Sequence, residues 1–272
     1  MKKTAVLIQA HNNIDYIFFL SKKFENVNFY VHMDKKNNKD NDLIDKLTIP
    51  NLFKVTEPIN VNWGGFSQVQ ATLKLIDLAY GNKENKYFHF ISAECVPLLD
   101  FDEISFFWES EGLAPRIQSV ERNDIYWRLN IRVPYSDTPY LRTVPCRVLN
   151  QLFKFIGSKI KLTNIPKDLY SYGSNWFSIA REHIIEIKKL ERDGFFSQFY
   201  NISCADEHVF QAFFKKINIE PNSNKRFLTF PLGKSSPKYL EIDDILLAKK
   251  EGFWFARKVR SDIAMEFINE KL

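Results

Sequence analysis

The feature that most restricts the fold lies at the N-terminal end of the chain. Residues 5–10 (Ala-Val-Leu-Ile-Gln-Ala) form a nearly continuous apolar run of strand length, residues 14–24 carry a helical pattern, and residues 28–33 (Asn-Phe-Tyr-Val-His-Met) form a second β-rich run. Each run ends in polar residues, His11-Asn12-Asn13 after the first and Asp34-Lys35-Lys36 after the second. Strand, helix, strand in this order predicts a βαβ unit, and with it an α/β protein. In open α/β sheets, ligands bind beyond the carboxyl ends of the strands. That rule sets His11, His32 and Asp34 on one rim, although each taken alone is an ordinary turn residue.

The pattern continues with a short helix over 42–47 and a strand over 52–55. The stretch Trp63-Gly64-Gly65-Phe66-Ser67-Gln68 then lets the backbone turn tightly or approach a ligand. Ser67 is placed to cap the helix that follows, and the Lys-Ser/Thr ending of a P-loop is missing. Residues 87–91 read as a central strand, with Glu94 just beyond its end. Asp100-Phe101-Asp102 has the letters of a metal-binding Asp-x-Asp, but its place before an apolar helical pattern reads as a helix cap. Strands are expected over 114–120 and 126–133, and a short helix over 148–155 inside a poorly patterned segment, 134–166. A loop this long in a compact domain is usually functional or mobile. Nothing reads as a linker or repeat, so one domain over 1–272 is expected.

Ser203-Cys204-Ala205-Asp206-Glu207-His208 places two carboxyls and an imidazole just before an apolar helical face (Val209, Phe210, Phe213, Phe214). Ser203 and Asp206 can cap that helix. The same residues can also present Glu207 as a base on a rigid pocket wall. Farther on, Arg226 opens an aromatic strand, and Arg257-Lys258 closes another aromatic run, Phe253-Trp254-Phe255.

Composition narrows the ligand. Aromatic residues make up 15%, including 25 Phe, enough to supply aromatic surface for flat ligands such as sugars or bases. A net charge of +5 suits an anionic ligand or a membrane surface but is too weak and dispersed to argue for nucleic acid. Cys95, Cys146 and Cys204 make neither a disulfide framework nor a metal-ligand spacing, which fits a reducing compartment. No apolar run reaches transmembrane length and the N-terminal run is short for a signal peptide, so a cytoplasmic protein is expected, with peripheral contact at an inner membrane face compatible.

Six stretches occur here in the order seen in one family: His32-Met33-Asp34-Lys35-Lys36, Trp63 to Val69, Phe90 to Leu98, Gly173-Ser174-Asn175-Trp176-Phe177, Asp206-Glu207 and Phe255-Ala256-Arg257-Lys258. The chain resembles the core-2/I-branching β-1,6-N-acetylglucosaminyltransferase family, which includes peptide O-xylosyltransferases. The resemblance runs from about Ala5 to Val259 and loses its alignment between Pro134 and Tyr170. It implies a GT-A-type nucleotide-sugar-binding fold, with a mixed, mostly parallel central sheet flanked by helices. It further implies an inverting transfer from a UDP-sugar without metal or other cofactor.

On the same resemblance Glu207 is the base, and Lys258 with Arg257 and Arg226 neutralises the diphosphate. The uridine side uses His11, His32 and Asp34 with Trp63 and Ser67. Glu94, Glu121, Trp127, Arg128 and Trp176 are candidate sugar or acceptor contacts. The animal enzymes carry a membrane anchor and disulfides, which this sequence lacks. The expectation is therefore a bacterial member acting on a glycan or lipid-linked acceptor, with GlcNAc the favoured sugar and surface lipooligosaccharide or capsule synthesis its setting. Two rivals stand beside it: a metal-dependent transferase using Asp100 and Asp102 or Asp34, and a non-catalytic carbohydrate-binding protein on a degenerate transferase fold.

Overall fold

The computed structural model describes residues 3–46, 48–233 and 236–272. It opens with β1 (Thr4–Ala10), α1 (Ile14–Lys23) and β2 (Val27–Met33), the βαβ unit expected from the sequence. α2 (Asn38–Lys46) starts before the expected residue 42, because the Asn37 side chain accepts the Asp40 N–H at 3.1 Å and turns the chain early. Leu47, the expected end of this helix, lies outside the described residues. β3 (Leu52–Lys54), α3 (Phe66–Tyr80), β4 (Tyr87–Ser92), β5 (Cys95–Pro97) and α4 (Phe101–Ser110) follow. The second half comprises α5 (Trp127–Asn130), α6 (Val144–Lys159), β6 (Ser178–Ala180), α7 (Arg181–Arg192), α8 (Val209–Lys216), β7 (Arg226–Phe227), α9 (Ile242–Lys250), β8 (Phe255–Arg257) and α10 (Ser261–Lys271).

The main sheet has the order β3-β2-β1-β4-β6. Its first four strands are parallel and β6 runs antiparallel to β4, so the fold is α/β with a mostly parallel mixed sheet. β1 sits at the centre, with Ile8 in register with both Val31 and Ile91. Parallel strands are covered on both faces, which explains why β1, β2 and β4 read as nearly continuous apolar runs. Side chains alternate between the faces. Val6 and Ile8 join Phe29, Val31 and Met33 in a core with Phe101, Ile104, Trp108 and Phe267, on α4 and α10. Ala5 and Leu7 join Tyr30, Phe88 and Phe90 in a second core with Leu75, Ile76, Phe210 and Phe213, on α3 and α8. A smaller sheet, β5-β8-β7, brings the C-terminal strand back beside the end of β4.

Two expected strands are absent. Residues 114–120 make only isolated bridges, Arg116 with Ser178 and with Asn222, and Val120 with Tyr172. Pro115 interrupts the run, and the Arg116 backbone spends both its bonds on Ser178, at 2.8 and 2.9 Å. Residues 126–133 instead turn through α5, anchored by the buried Leu129, whose carbonyl accepts from Thr163 Oγ1 and Tyr170 Oη. Local β propensity yields here to tertiary bonds. β7 is shorter than its aromatic run, 225–230, suggested. Conversely, the helix expected over 148–155 extends over all sixteen residues of α6, with Pro145 in its first turn, where its missing N–H is harmless.

Capping also differs in detail. Asp100 caps α4 as expected, accepting the Asp102 N–H at 2.9 Å in a capping box with Glu103. Ser67 does not cap α3; Gly65 occupies that position. The helix start is held by Asp137, whose Oδ2 accepts the Ser67 N–H at 2.8 Å and whose Oδ1 accepts the Ser67 hydroxyl at 2.6 Å. A carboxylate at a helix N-terminus satisfies orphan donors and suits the dipole. Asp137 reaches this place only because residue 65 lacks a side chain: a Cβ there would stand 2.0 Å from Asp137 Oδ1. Gly65→Ala is therefore expected to destabilise the fold by about 1–3 kcal/mol, the usual range for overpacking. Urea unfolding with an unchanged midpoint would contradict this account of the clamp.

Candidate functional site

The carboxyl ends of β1, β2 and β4 open into a cavity of about 1390 Å³. Glu207 reaches its wall on a 3-10 turn, Ala205–Glu207, that follows Cys204 in the left-handed conformation (φ 54°). Neither Ser203 nor Asp206 caps α8, contrary to the sequence expectation: Ser203 precedes the turn and Asp206 lies within it, and among the described residues no side chain caps the helix. The turn is pinned at both ends. Cys204 N–H donates to Gly64 O at 2.8 Å, and the Glu207 carbonyl accepts the Gly173 N–H at 2.9 Å. Gly173 cannot be larger, since a Cβ would stand 1.8 Å from Gln118 O. Below the turn His208 is fully buried and donates from Nδ1 to Ser171 O at 2.7 Å; burial pushes its pKa down to about 3 and keeps it neutral.

The carboxylates are electrostatically distinct. Glu207 Oε2 pairs with Arg128 Nη1 at 2.8 Å. Burial raises its pKa, and the Arg128 charge and hydrogen bond oppose that rise without cancelling it. Asp206 is more deeply buried, its Oδ1 has no hydrogen-bond partner among the described residues, and its pKa is raised by burial first and by the Glu207 charge second. The two carboxyls titrate as a linked pair.

Arg226, Arg257 and Lys258 are among the cations that line the same cavity. Arg226, buried on β7, donates from Nη2 to Ser178 Oγ at 2.9 Å and from Nη1 to Asn224 O at 2.6 Å, and its guanidinium lies 5.0 Å from the Phe255 ring centroid. Among the described residues no carboxylate pairs with it, and its buried Nε has no hydrogen-bond partner. Burial pushes its pKa down to about 9. Arg257, at the end of β8, donates to Ser92 Oγ at 3.1 Å and lies over the Trp176 ring at 5.1 Å. Lys258 pairs with Glu94 at 2.8 Å, and Glu94 also accepts from Tyr239 Oη at 2.6 Å. Burial works against the Glu94 charge, but these two bonds and the nearby cations outweigh it, and its pKa lies below the ordinary value.

His11, His32, Asp34, Trp63, Glu94 and Trp176 also reach the cavity. His32 is structural in its bonding, accepting the Ile59 N–H at Nε2 (3.1 Å), with a pKa lowered to about 4 by burial. Asp34 accepts the Lys36 N–H at 3.0 Å. Ser67 does not line the cavity, because its hydroxyl is committed to Asp137. Glu121 is exposed and also stays outside. Trp127 and Arg128 line an adjoining cavity of about 300 Å³ that shares Trp63, Arg142 and Cys204 with the larger one. Asp100 and Asp102 lie outside both linings, and among the described residues no group of three His, Cys, Asp or Glu side chains could hold a metal ion.

Sequence reasoning missed Arg122, Arg142, Tyr172 and Asn175 on the cavity wall. Arg122 lies over Tyr172 at 5.4 Å and Arg142 over Trp63 at 5.0 Å, pairings between residues distant in sequence. Asn175 had a signal, its place in Gly173-Ser174-Asn175-Trp176; it is buried, and among the described residues neither of its side-chain polar atoms has a partner.

The raised pKa of Asp206 makes a stability prediction. A carboxyl whose pKa is higher in the folded state is least favourable to folding once ionised, above that raised value. Asp206→Asn is expected to raise the melting temperature at neutral pH. The gain should vanish below the ordinary aspartate pKa, where both folded and unfolded wild-type chains carry the proton. A melting-temperature difference independent of pH would contradict it.

A search of curated proteins finds no match to the chain. Among solved structures, the crystal structure of the 4-diphosphocytidyl-2C-methyl-D-erythritol synthase of Anaerococcus prevotii aligns with a TM-score of 0.40 at 9% identity, over 92% of this chain and 99% of that one. The model of the family described as Core-2/I-Branching enzyme matches residues 7–232, which include Glu207 and Arg226 but not Arg257 and Lys258. A match of that extent, over the sheet, the cavity rim and the Asp206-Glu207 turn, makes the chain a member of the Core-2/I-branching enzyme family, and so a glycosyltransferase.

Proposed function

We propose that the chain moves a sugar, GlcNAc by preference, from a UDP-sugar to a hydroxyl of a glycan acceptor, with inversion and without metal. The observation that carries this reading is Arg226. A buried guanidinium with no carboxylate partner among the described residues is costly unless an anion completes it. Arg257 and Lys258 on the same wall supply further positive charge for a departing diphosphate. His11, Asp34 and Trp63, at the rim formed by β1, β2 and the start of α3, are assigned to the nucleoside end.

The chemistry is an in-line displacement at the anomeric carbon. The acceptor oxygen attacks, its proton passes to Glu207, and the bond to the UDP oxygen breaks with its electron pair leaving on the diphosphate. Arg128 holds Glu207 in one orientation and favours its ionised, proton-accepting form. Burial keeps the carboxylate more basic than in water. The adjoining cavity beside Arg128 is assigned to the acceptor. Bacterial surface glycan or lipid-linked oligosaccharide synthesis is the setting proposed. A metal-dependent reaction through Asp100 and Asp102 is disfavoured by their commitment to capping α4 and to Asn26, outside the cavity lining.

Glu207→Gln is expected to lower turnover by about 10²–10⁴-fold, the usual contribution of a positioned base, while UDP still raises the melting temperature. Near-normal turnover would remove Glu207 from the role. The acid limb of kcat/KM should fall at a pH above the ordinary glutamate range, since the base must be unprotonated and its pKa is raised. Turnover should survive EDTA. Activity abolished by EDTA and restored by Mn²⁺ would favour the metal-dependent alternative, and absence of any response to uridine nucleotides the non-catalytic one.

A further inference from the structure

We propose that α6 is an interfacial helix that docks the protein on an anionic phospholipid bilayer. The helix is fixed on its inner side: Asn130 donates to Gly157 O at 2.8 Å, Tyr135 Oη donates to Asn150 Oδ1 at 3.0 Å, and a Cβ at Gly157 would stand 2.6 Å from Trp127 O. Its outer side is apolar. Val144, Val148, Leu152 and Phe155, spaced four, four and three residues apart, are 72%, 66%, 54% and 64% exposed. That spacing makes one stripe along a helix. A stripe of this kind, continued by the exposed Ile160 and Leu162, marks an interaction surface.

The charge identifies what covers it. Residues 138–167 contain Arg142, Arg147, Lys154, Lys159, Lys161 and Lys167 and no Asp or Glu. Six cations exceed the +5 net charge of the whole chain, so the entire positive excess lies in this segment. A fixed helix with an apolar stripe beside clustered Lys and Arg has the makeup of one lying in a membrane interface, with its apolar side chains below the headgroups and its cations among them. Tyr140, exposed at the start of the segment, is a residue type that favours this level. Arg147 and Asn150 of the same helix line the adjoining cavity beside Arg128. Docking through α6 therefore brings that cavity to the membrane surface, where the glycan headgroup of a lipid-linked acceptor would enter it. This last step rests on the proposed transfer reaction; membrane docking does not.

The test is cosedimentation of the full chain with vesicles of phosphatidylcholine alone and of phosphatidylcholine mixed with phosphatidylglycerol, at low and high salt. Binding is expected to the mixed vesicles, at least about tenfold weaker to phosphatidylcholine alone, and weakened by salt. Val148→Asp with Leu152→Asp should lower binding by about tenfold or more at an unchanged melting temperature, because both side chains are exposed. Arg147→Glu with Lys154→Glu should remove the preference for the anionic lipid. Absence of binding to either vesicle, or wild-type binding by the aspartate variant, overturns the proposal. So does a dimer in solution that Leu152→Asp disperses without any vesicle binding, which would make the stripe a contact between two copies. UDP-induced stabilisation, measured without vesicles, reports the donor site separately, so the two readings fail independently.

Discussion

The arrangement depends on a constraint of the sheet: β1, β2 and β4 run parallel, so their carboxyl ends open at one edge. Everything that reaches the cavity is delivered to that edge. His11 and Asp34 arrive directly from strand ends, and Glu94 arrives just past β4. The smaller sheet continues the principle, because β8 pairs with β5 and carries Arg257 back beside Ser92. The 3-10 turn bearing Glu207 is tied to the same edge through Gly64, at the approach to α3. A cavity with a cationic wall and a carboxylate wall is thus a product of strand direction and two short backbone bridges.

The charged groups around the cavity differ in how their burial is compensated. Glu207 is offset by Arg128, and Glu94 by Lys258. Among the described residues no cation forms an ion pair with Asp206; burial and the Glu207 charge outweigh the Arg128 charge, and it holds its proton more tightly. Among the described residues Arg226 has only neutral partners, a hydroxyl and carbonyls, together with an aromatic face. The neighbouring His89 is fully enclosed and bonded to Ser178 Oγ at 2.7 Å; its own burial first, and the Arg226 charge second, push its pKa down to about 3. Ser178, on the edge strand β6, therefore stands between two basic groups.

Much of the architecture was legible in the sequence, because parallel strands and their helices announce themselves by period and polarity. β1, α1, β2, β4 and the Asp100 cap fall where expected. What was illegible depended on partners far away in the chain. The run 126–133 has the composition of a strand, but the Leu129 carbonyl bonds Thr163 and Tyr170. Ser67 looked like a cap, but Asp137 takes that function from a segment with no readable pattern. The cations of the site were legible because they interrupt aromatic runs, whereas Arg122 and Arg142 became visible only through the rings they cover, Tyr172 and Trp63.

The pairing of Lys258 with Glu94 has a kinetic side. A lysine already satisfied by a carboxylate and resting near the Tyr239 ring gains less from an incoming diphosphate than a bare one would. It also has somewhere to return when the diphosphate departs. On the proposed reaction, Glu94 competes with the spent nucleotide for the same ammonium group. The carboxylate that weakens donor capture would then shorten the time the product stays bound, and so favour repeated turnover over tight holding.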